Sequence, residues 1–270
     1  MLIDTHVHLQ SERYADDLGA VLERAAAAGV RACIVPGTDL ESSRAAVDLA
    51  ARYAEAPCAV YAAVGVHPTN ADELTDAALE KLAKLAQHSR VVAIGEIGLD
   101  YYWPNQPNRD WPCADPLQQK RALRMQLALA ADLGLPVSIH DRDAHRDTLA
   151  LLGAWVADDP ARTGTLHAYA GGPTLLNEAL ALGFFIGMDG PVTFSNARKL
   201  HAVAQNVPLE RLLLETDGPY LTPVPHRGKR NEPAYLTHVM AEVAALRETT
   251  PDTIAQATTD NVSALFGLTL

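Results

Sequence analysis

MLIDTHVHLQS, residues 1–11, decides between the two architectures open to this chain. Leu2 to Val7 is a short, mostly apolar run, as expected of a strand buried on both faces. An alanine-rich helix pattern follows, roughly Ala15 to Ala28, with Gly29 placed as its C-cap. An open doubly wound sheet would need a glycine-rich phosphate loop between that strand and that helix. DTHVHLQS has no glycine and carries two imidazoles instead. A first strand loaded with histidines at its C-terminal end fits a closed (β/α)8 barrel, where catalytic groups cluster at the strand C-termini.

Working outward, the alternation repeats. Strands are expected at Arg31 to Val35, Ala59 to Gly65, Val91 to Glu96, Pro136 to His140, Thr163 to Ala168, Phe184 to Met188 and Arg211 to Glu215. Helix patterns separate them, the longest from Pro116 to Leu133 with Gly134 closing it, and two more follow the last strand. The expected fold is α/β, a single-domain TIM-type (β/α)8 barrel over residues 1–270. No internal repeat, low-complexity segment or second domain is evident.

Composition agrees. A length of 270 residues is normal for one barrel, and 48% hydrophobic residues supply a large core. No apolar run reaches the roughly 18 residues that span a bilayer, so no membrane association is expected. The N-terminus lacks the basic and apolar regions of a signal peptide. Cys33, Cys58 and Cys113 are odd in number and form no CxxC pair, which argues against a disulfide framework or a thiolate zinc site and for a reducing cytoplasm. The formal net charge of −11 counts against binding long duplexes, whose affinity comes mainly from phosphate neutralisation. Metal-binding carboxylates inflate that figure. Arg227-Gly228-Lys229-Arg230 also forms a local basic run.

The polar residues fall where a barrel's chemistry belongs. His6 and His8 close the first strand, His67 lies beyond the third, Glu96 ends the fourth, His140 the fifth and His167 the sixth, and Asp217 follows the eighth. The i, i+2 spacing of His6 and His8 points both rings to one side of a strand. Alone, the pair reads equally well as one core and one surface histidine. Glu96 sits among apolar residues and glycines, a costly place for a carboxylate without a metal or an ion pair, for example with Arg142. Of Glu215 and Asp217, Asp217 is expected to point into the mouth and Glu215 to make a supporting hydrogen bond or salt bridge. Histidine and carboxylate ligands without thiolates suit one or two divalent ions, with Mg, Mn and Zn all open. Such an ion lowers the pKa of water from about 16 towards about 7, and two ions about 3.5–4 Å apart suit phosphodiester hydrolysis.

DTHVHL, GVHP, GEIGLDYY, PVSIHDRDA, TFSNA, LLLETDGPYLTP and RGKRNEP together resemble the TatD-type metal-dependent deoxyribonucleases of the amidohydrolase superfamily, over essentially the whole chain. The resemblance implies a metal-dependent 3′–5′ exonuclease acting on single-stranded or frayed DNA ends, in repair or degradation. It implies that His6, His8, Glu96 and Asp217 hold one ion and Glu96, His140 and His167 a second. Glu96 and Asp217 would be the catalytic carboxylates, Asp217 orienting the attacking water and taking its proton. Arg227, Lys229 and Arg230 are expected on phosphates, Tyr101, Tyr102 or Trp103 against an unpaired base, and His67 and Arg142 at the substrate rim. No stable protein partner is indicated.

Two stretches depart from the family pattern. HAYAGG, residues 167–172, stands where the family reads like HCFSGS, and the loop from Trp103 to Asp115 is longer than usual. The alternative activity is a metal-dependent esterase or amidohydrolase, such as a D-aminoacyl-tRNA deacylase, which the same ligand set would serve. A non-catalytic scaffold would be marked by lost ligands, and none is lost.

Overall fold

The computed structural model describes residues 1–106 and 113–268. Among them eight strands form one parallel sheet in sequential order: β1 (Leu2–Asp4), β2 (Val30–Pro36), β3 (Ala59–Val64), β4 (Val91–Asp100), β5 (Val137–Arg142), β6 (Gly164–Leu166), β7 (Phe185–Met188) and β8 (Leu212–Leu214). The last strand returns to the first. Thr5 N–H donates to the Leu214 carbonyl at 3.2 Å, and Val7 bridges Gly218 in parallel. The expected barrel is what forms.

Helices α1 (Leu18–Ala27), α2 (Leu40–Arg52), α3 (Asp76–Leu85), α4 (Pro116–Leu133), α5 (His145–Asp158), α6 (Gly172–Ala181), α7 (Arg198–Asn206), α8 (Leu236–Leu246) and α9 (Pro251–Phe266) surround the sheet. Local chemistry sets their ends. Asp39 and Ser42 form a reciprocal capping box on α2, and Asp115 and Gln118 form another on α4 with Pro116 at its first turn. Gly134 closes α4 at φ +65°, a left-handed conformation that favours glycine.

Alternation along the strands divides the core. Cys33, Val35, Val60 and Val64 belong to the large layer between sheet and helices. Their neighbours Ile34 and Ala63 join Ile3, Ala93 and Leu213 in a separate cluster, completed by Val262, Leu265 and Phe266 of α9. Side chains of opposite facing therefore fill two layers, as the period of two requires.

Boundaries differ from expectation in two informative places. β1 ends at Asp4, so His6 and His8 lie on the extended segment after it rather than on the strand. β4 runs beyond Glu96 to Asp100. The long loop expected from Trp103 to Asp115 lies partly outside the described residues. No helix among the described residues is long and apolar enough to cross a membrane.

Candidate active site

The β1 and β8 ends are zipped together by backbone and side chain alike. Asp4, fully buried, accepts hydrogen bonds from Thr216 N–H at 2.9 Å and from the Thr216 hydroxyl. Asp217 N–H donates to the His6 carbonyl at 2.9 Å, and His8 N–H to the Gly218 carbonyl at 2.7 Å. These bonds fix His6, His8 and Asp217 relative to one another. Asp217 holds φ +53°, which turns its side chain off the regular strand path. Its Oδ1 lies 3.4 Å from His8 Nε2 and 3.8 Å from His6 Nε2.

Glu96 is aimed by a bulge. Ile94 pairs with Val137 and Ile97 with Ile139, so β4 carries one residue more than β5 over this step. Such an extra residue bends the strand and redirects a side chain. Glu96 is 3% exposed, and each of its oxygens faces a different group of imidazoles. Oε2 lies 3.4 Å from His6 Nε2 and 3.7 Å from His8 Nε2. Oε1 lies 2.8 Å from His140 Nδ1, 2.8 Å from His167 Nε2 and 3.6 Å from His67 Nε2. Burial alone would raise the Glu96 pKa, but the fields of His167, His67 and His6 and the hydrogen bond from His140 hold it well below the usual carboxylate range. Burial likewise opposes ionisation of Asp217, and the hydrogen bond to His8 with the charges of His6 and His8 overcomes it. Both carboxylates are ionised at neutral pH. Burial and the neighbouring His140 push the His67 pKa down to about 3, leaving a neutral ring whose Nδ1 accepts from the Thr69 N–H at 3.2 Å.

The donor set fits divalent ions. His6, His8 and Glu96 place one ligand atom each within 4.8 Å of one another; so do His67, Glu96 and His140, and so do His6, His167 and Glu215. Neither ring nitrogen of buried His6, nor Nδ1 of His167, has a hydrogen-bond partner among the described residues. Buried imidazole nitrogens without partners are costly unless a cation uses their lone pairs. Two of these residues exceed the sequence reading. His67 was expected only at the substrate rim, and its ring joins a ligand group. Glu215 was expected to support rather than point inward. It does support, accepting from the Ala168 N–H and from the Thr5 hydroxyl at 3.1 Å, yet it also lies 3.7 Å from His167 Nδ1. Gly187 makes room for it, since a Cβ there would meet the Glu215 carboxylate at 2.6 Å.

Other contributors gave no sequence signal. Asp100 Oδ2 sits 3.1 Å from His140 Nε2. Gln119 of α4 binds the backbone N–H and carbonyl of Asp100 at 2.8 Å each. Gln126 does the same for Val66, next to His67, at 2.7 and 3.0 Å. Asn231 donates to the carbonyls of Thr216 and Tyr220 at 2.7 Å each. These amides hold the ligand-bearing segments from behind.

A cleft of about 910 Å³ opens over the cluster, lined among others by His8, His67, Glu96, Asp100, Trp103, His140, Arg142, His167, Asp217, Tyr220 and Leu221. Arg142 does not pair with Glu96. Its guanidinium lies over the Tyr102 ring at 3.8 Å, with Trp103 at 5.3 Å. Arg227, Lys229 and Arg230 are not brought into the lining. Arg230 makes bonds of 2.7 and 2.8 Å to Asp17, and Arg227 lies over the Phe194 ring at 4.1 Å. Tyr101 also stays out, its hydroxyl donating to Asp147 at 2.7 Å. In the divergent HAYAGG stretch, Tyr169 folds inward and donates to the Gly172 carbonyl at 3.0 Å.

Imidazoles and carboxylates converging at the C-terminal mouth of a (β/α)8 barrel define the class of metal-dependent hydrolases. Residues 3–267 match the TatD related DNase family, and the chain belongs to it. It is 41% identical to the metal-dependent hydrolase YabD of Bacillus subtilis, covering 98% of this chain and 99% of that protein. It is 40% identical to the 3′-5′ ssDNA/RNA exonuclease TatD of Yersinia pseudotuberculosis, covering 99% and 100%. The crystal structure of YJJV, a TatD homolog from Escherichia coli K12, superposes with a TM-score of 0.87 at 34% identity, over 99% of this chain and 98% of that one.

Proposed function

We propose that this hydrolase is a nuclease that removes nucleotides from the 3′ ends of single-stranded or frayed nucleic acid. The observation that carries the reading is Glu96, whose two oxygens face two separate imidazole groups. That arrangement suits a carboxylate shared between two divalent ions. His6, His8 and Asp217 would complete the ligands on the Oε2 side, and His140 and His167, with His67 beside them, on the Oε1 side. When bound, such ions lower the pKa of water and offset the charge that develops on the phosphoryl oxygens.

The chain's own groups do the rest. Asp217, ionised at the edge of the cleft, orients the attacking water and accepts its proton. Asp100 holds the ring of His140 against Glu96. Arg142 has no ion pair among the described residues and lines the cleft, so its guanidinium serves a substrate phosphate. The relative from Yersinia pseudotuberculosis carries its single-stranded exonuclease activity in its name, at 40% identity over the full length. An open cleft whose described lining carries one guanidinium fits a single strand better than a long duplex, in keeping with the net charge of −11. A cytoplasmic setting belongs to the same proposal, supported by the free thiols of Cys33 and Cys58.

The test is a substrate panel after chelation and restoration with Mg, Mn or Zn. Stepwise shortening of a 5′-labelled single strand, absent without the ion, is the expected result. Hydrolysis of an aminoacyl ester with no shortening of any oligonucleotide would overturn the nuclease reading in favour of the esterase alternative.

A further inference from the structure

The loop after β8 carries an apolar ledge that no ligand group explains. Among the described residues the large hydrophobic side chains left exposed are Met1, Leu117, Tyr220, Leu221 and Val224. Three of the five fall in this one loop, and Tyr220 (53% exposed) and Leu221 (40%) line the cleft. Exposed apolar groups gathered at the rim of a functional cleft mark an interaction surface rather than a packing accident.

The ledge is held rigidly. Tyr220 N–H donates to the Asp217 carbonyl at 2.9 Å, and Asn231 donates to the Tyr220 carbonyl at 2.7 Å. Leu221 adopts φ +50°, a left-handed conformation that a branched side chain rarely takes. It is locked there by close approach to Gly190, where a Cβ would lie 1.8 Å from the Leu221 carbonyl oxygen. Beyond it, the Thr222 hydroxyl donates to the Lys229 carbonyl at 2.7 Å, and Val224 N–H to the Thr193 hydroxyl at 2.9 Å. Backbone groups of Tyr220 and Val224 are thus bonded within the protein while the side chains face outward. A strained, well-tied loop presenting bare side chains is preorganised for a ligand.

Its place identifies the ligand's chemistry. Tyr220 follows Asp217 by three residues, and its ring stands edge-on to His8 with centroids 6.1 Å apart. On the wall formed by the β4 and β5 ends, the rings of the described aromatic residues already carry cations: Arg142 lies 3.8 Å from the Tyr102 ring and 5.3 Å from the Trp103 ring, and Lys120 lies 5.9 Å from the Tyr101 ring. That wall offers a cation, and the β8 wall offers a flat apolar face. A nucleotide presents the complementary pair, a phosphate and an adjoining planar base. We propose that Tyr220 and Leu221 form the stacking shelf for the unpaired nucleobase next to the scissile phosphodiester. The proposal rests on the nuclease reading above and relocates base stacking from the loop after β4 to the loop after β8. Stacking recognises any base through its π-face, so the shelf selects unpaired strands without selecting sequence.

The test uses the metal-loaded enzyme and single-stranded oligonucleotides carrying one abasic unit at each of the last three 3′ positions in turn. For the parent, one position raises KM by roughly 5- to 150-fold, the range for loss of one stacked base. Tyr220→Ala raises KM on the intact strand by a similar factor and no longer responds to the abasic unit at that position. Tyr220→Phe keeps the response, since the ring and not the hydroxyl stacks. Thermal midpoint and metal content, measured on each variant, separate this coupling from misfolding. Retention of the full abasic penalty by both Tyr220→Ala and Leu221→Ala would overturn the shelf while leaving the nuclease reading intact. A parent enzyme that shortens no oligonucleotide would refute the nuclease reading, and the shelf with it.

Discussion

Asp100 Oδ2 lies 3.1 Å from His140 Nε2, across the imidazole from Glu96 Oε1, which lies 2.8 Å from Nδ1. The ring is therefore held at both nitrogens. Burial would raise the Asp100 pKa, but its hydrogen bonds from His140 and the Trp103 backbone keep it below the usual carboxylate range. With an ion bound, an ionised Asp100 would keep the ring proton on Nε2 and leave Nδ1 to serve as the ligand atom beside Glu96. Outer partners of this kind typically contribute about 10- to 100-fold in metal affinity. Asp100→Asn is expected to weaken divalent-ion binding by about that factor, read by titration of the chelated protein with the ion. Parental affinity in the variant would show that the contact does not orient a ligand.

Arg230 is tied to the body of the protein through Asp17 and Tyr14. Its guanidinium binds both oxygens of Asp17 at 2.7 and 2.8 Å and lies over the Tyr14 ring at 4.8 Å. The hydrogen bond from Arg230, reinforced by Arg24, draws the Asp17 pKa down to about 2. A depressed carboxylate stabilises the fold above its unfolded pKa of about 4, and that contribution is lost as the pH falls through about 2. Both groups are partly exposed, so solvent screening limits the pair to about 1 kcal/mol or less. Arg230→Ala should lower stability by that order at pH 7, with the gap closing as the pH falls from about 4 to about 2. Denaturant melts across that range check it, and a gap independent of pH would contradict it.

Arg142 and the basic run make opposite predictions for salt dependence. Each phosphate contact on a single strand contributes about −0.7 to the slope of log affinity against log salt. Arg142→Ala should make the slope shallower by about that amount. Arg227→Ala with Lys229→Ala should leave it unchanged, because neither side chain lines the cleft. Anisotropy titrations of a labelled single strand at several salt concentrations measure both. A slope that responds to Arg227 and Lys229 and not to Arg142 would return the phosphate path to the loop after β8.

What could be read in advance follows from what a barrel forces. Parallel strands all end at one mouth, so placing His6, His8, Glu96, His140, His167 and Asp217 at strand ends also places them together, whatever the boundary errors. The i, i+2 rule held for His6 and His8 even though the strand stops at Asp4, because the chain stays extended and is pinned by Val7 to Gly218. Residues that act through a change of path were not legible. Asp100 joins the site because β4 continues past a bulge that no periodicity announces. Glu215 and Asp217 both reach the cluster because Asp217 leaves the regular strand at φ +53°. Gln119 and Gln126 sit within a helix pattern where glutamine reads as surface, yet both are buried against the backbone they bind. The ion pair of Arg230, within the run RGKR, was not legible because its partner Asp17 is 213 residues away in the chain.

The central claim is that Asp217 takes the proton from the attacking water at the nuclease centre. Its carboxylate is ionised at the mouth of the cleft, 3.4 Å from His8 Nε2. Asp217→Asn keeps the shape and an oxygen but cannot accept that proton. The direct measurement is single-turnover cleavage of a short single-stranded DNA by this variant, with metal content determined on the same sample. At full metal occupancy the rate should fall by about 100- to 10,000-fold, the usual range for a general base. A rate within a few-fold of the parent, at the same occupancy, would contradict the account.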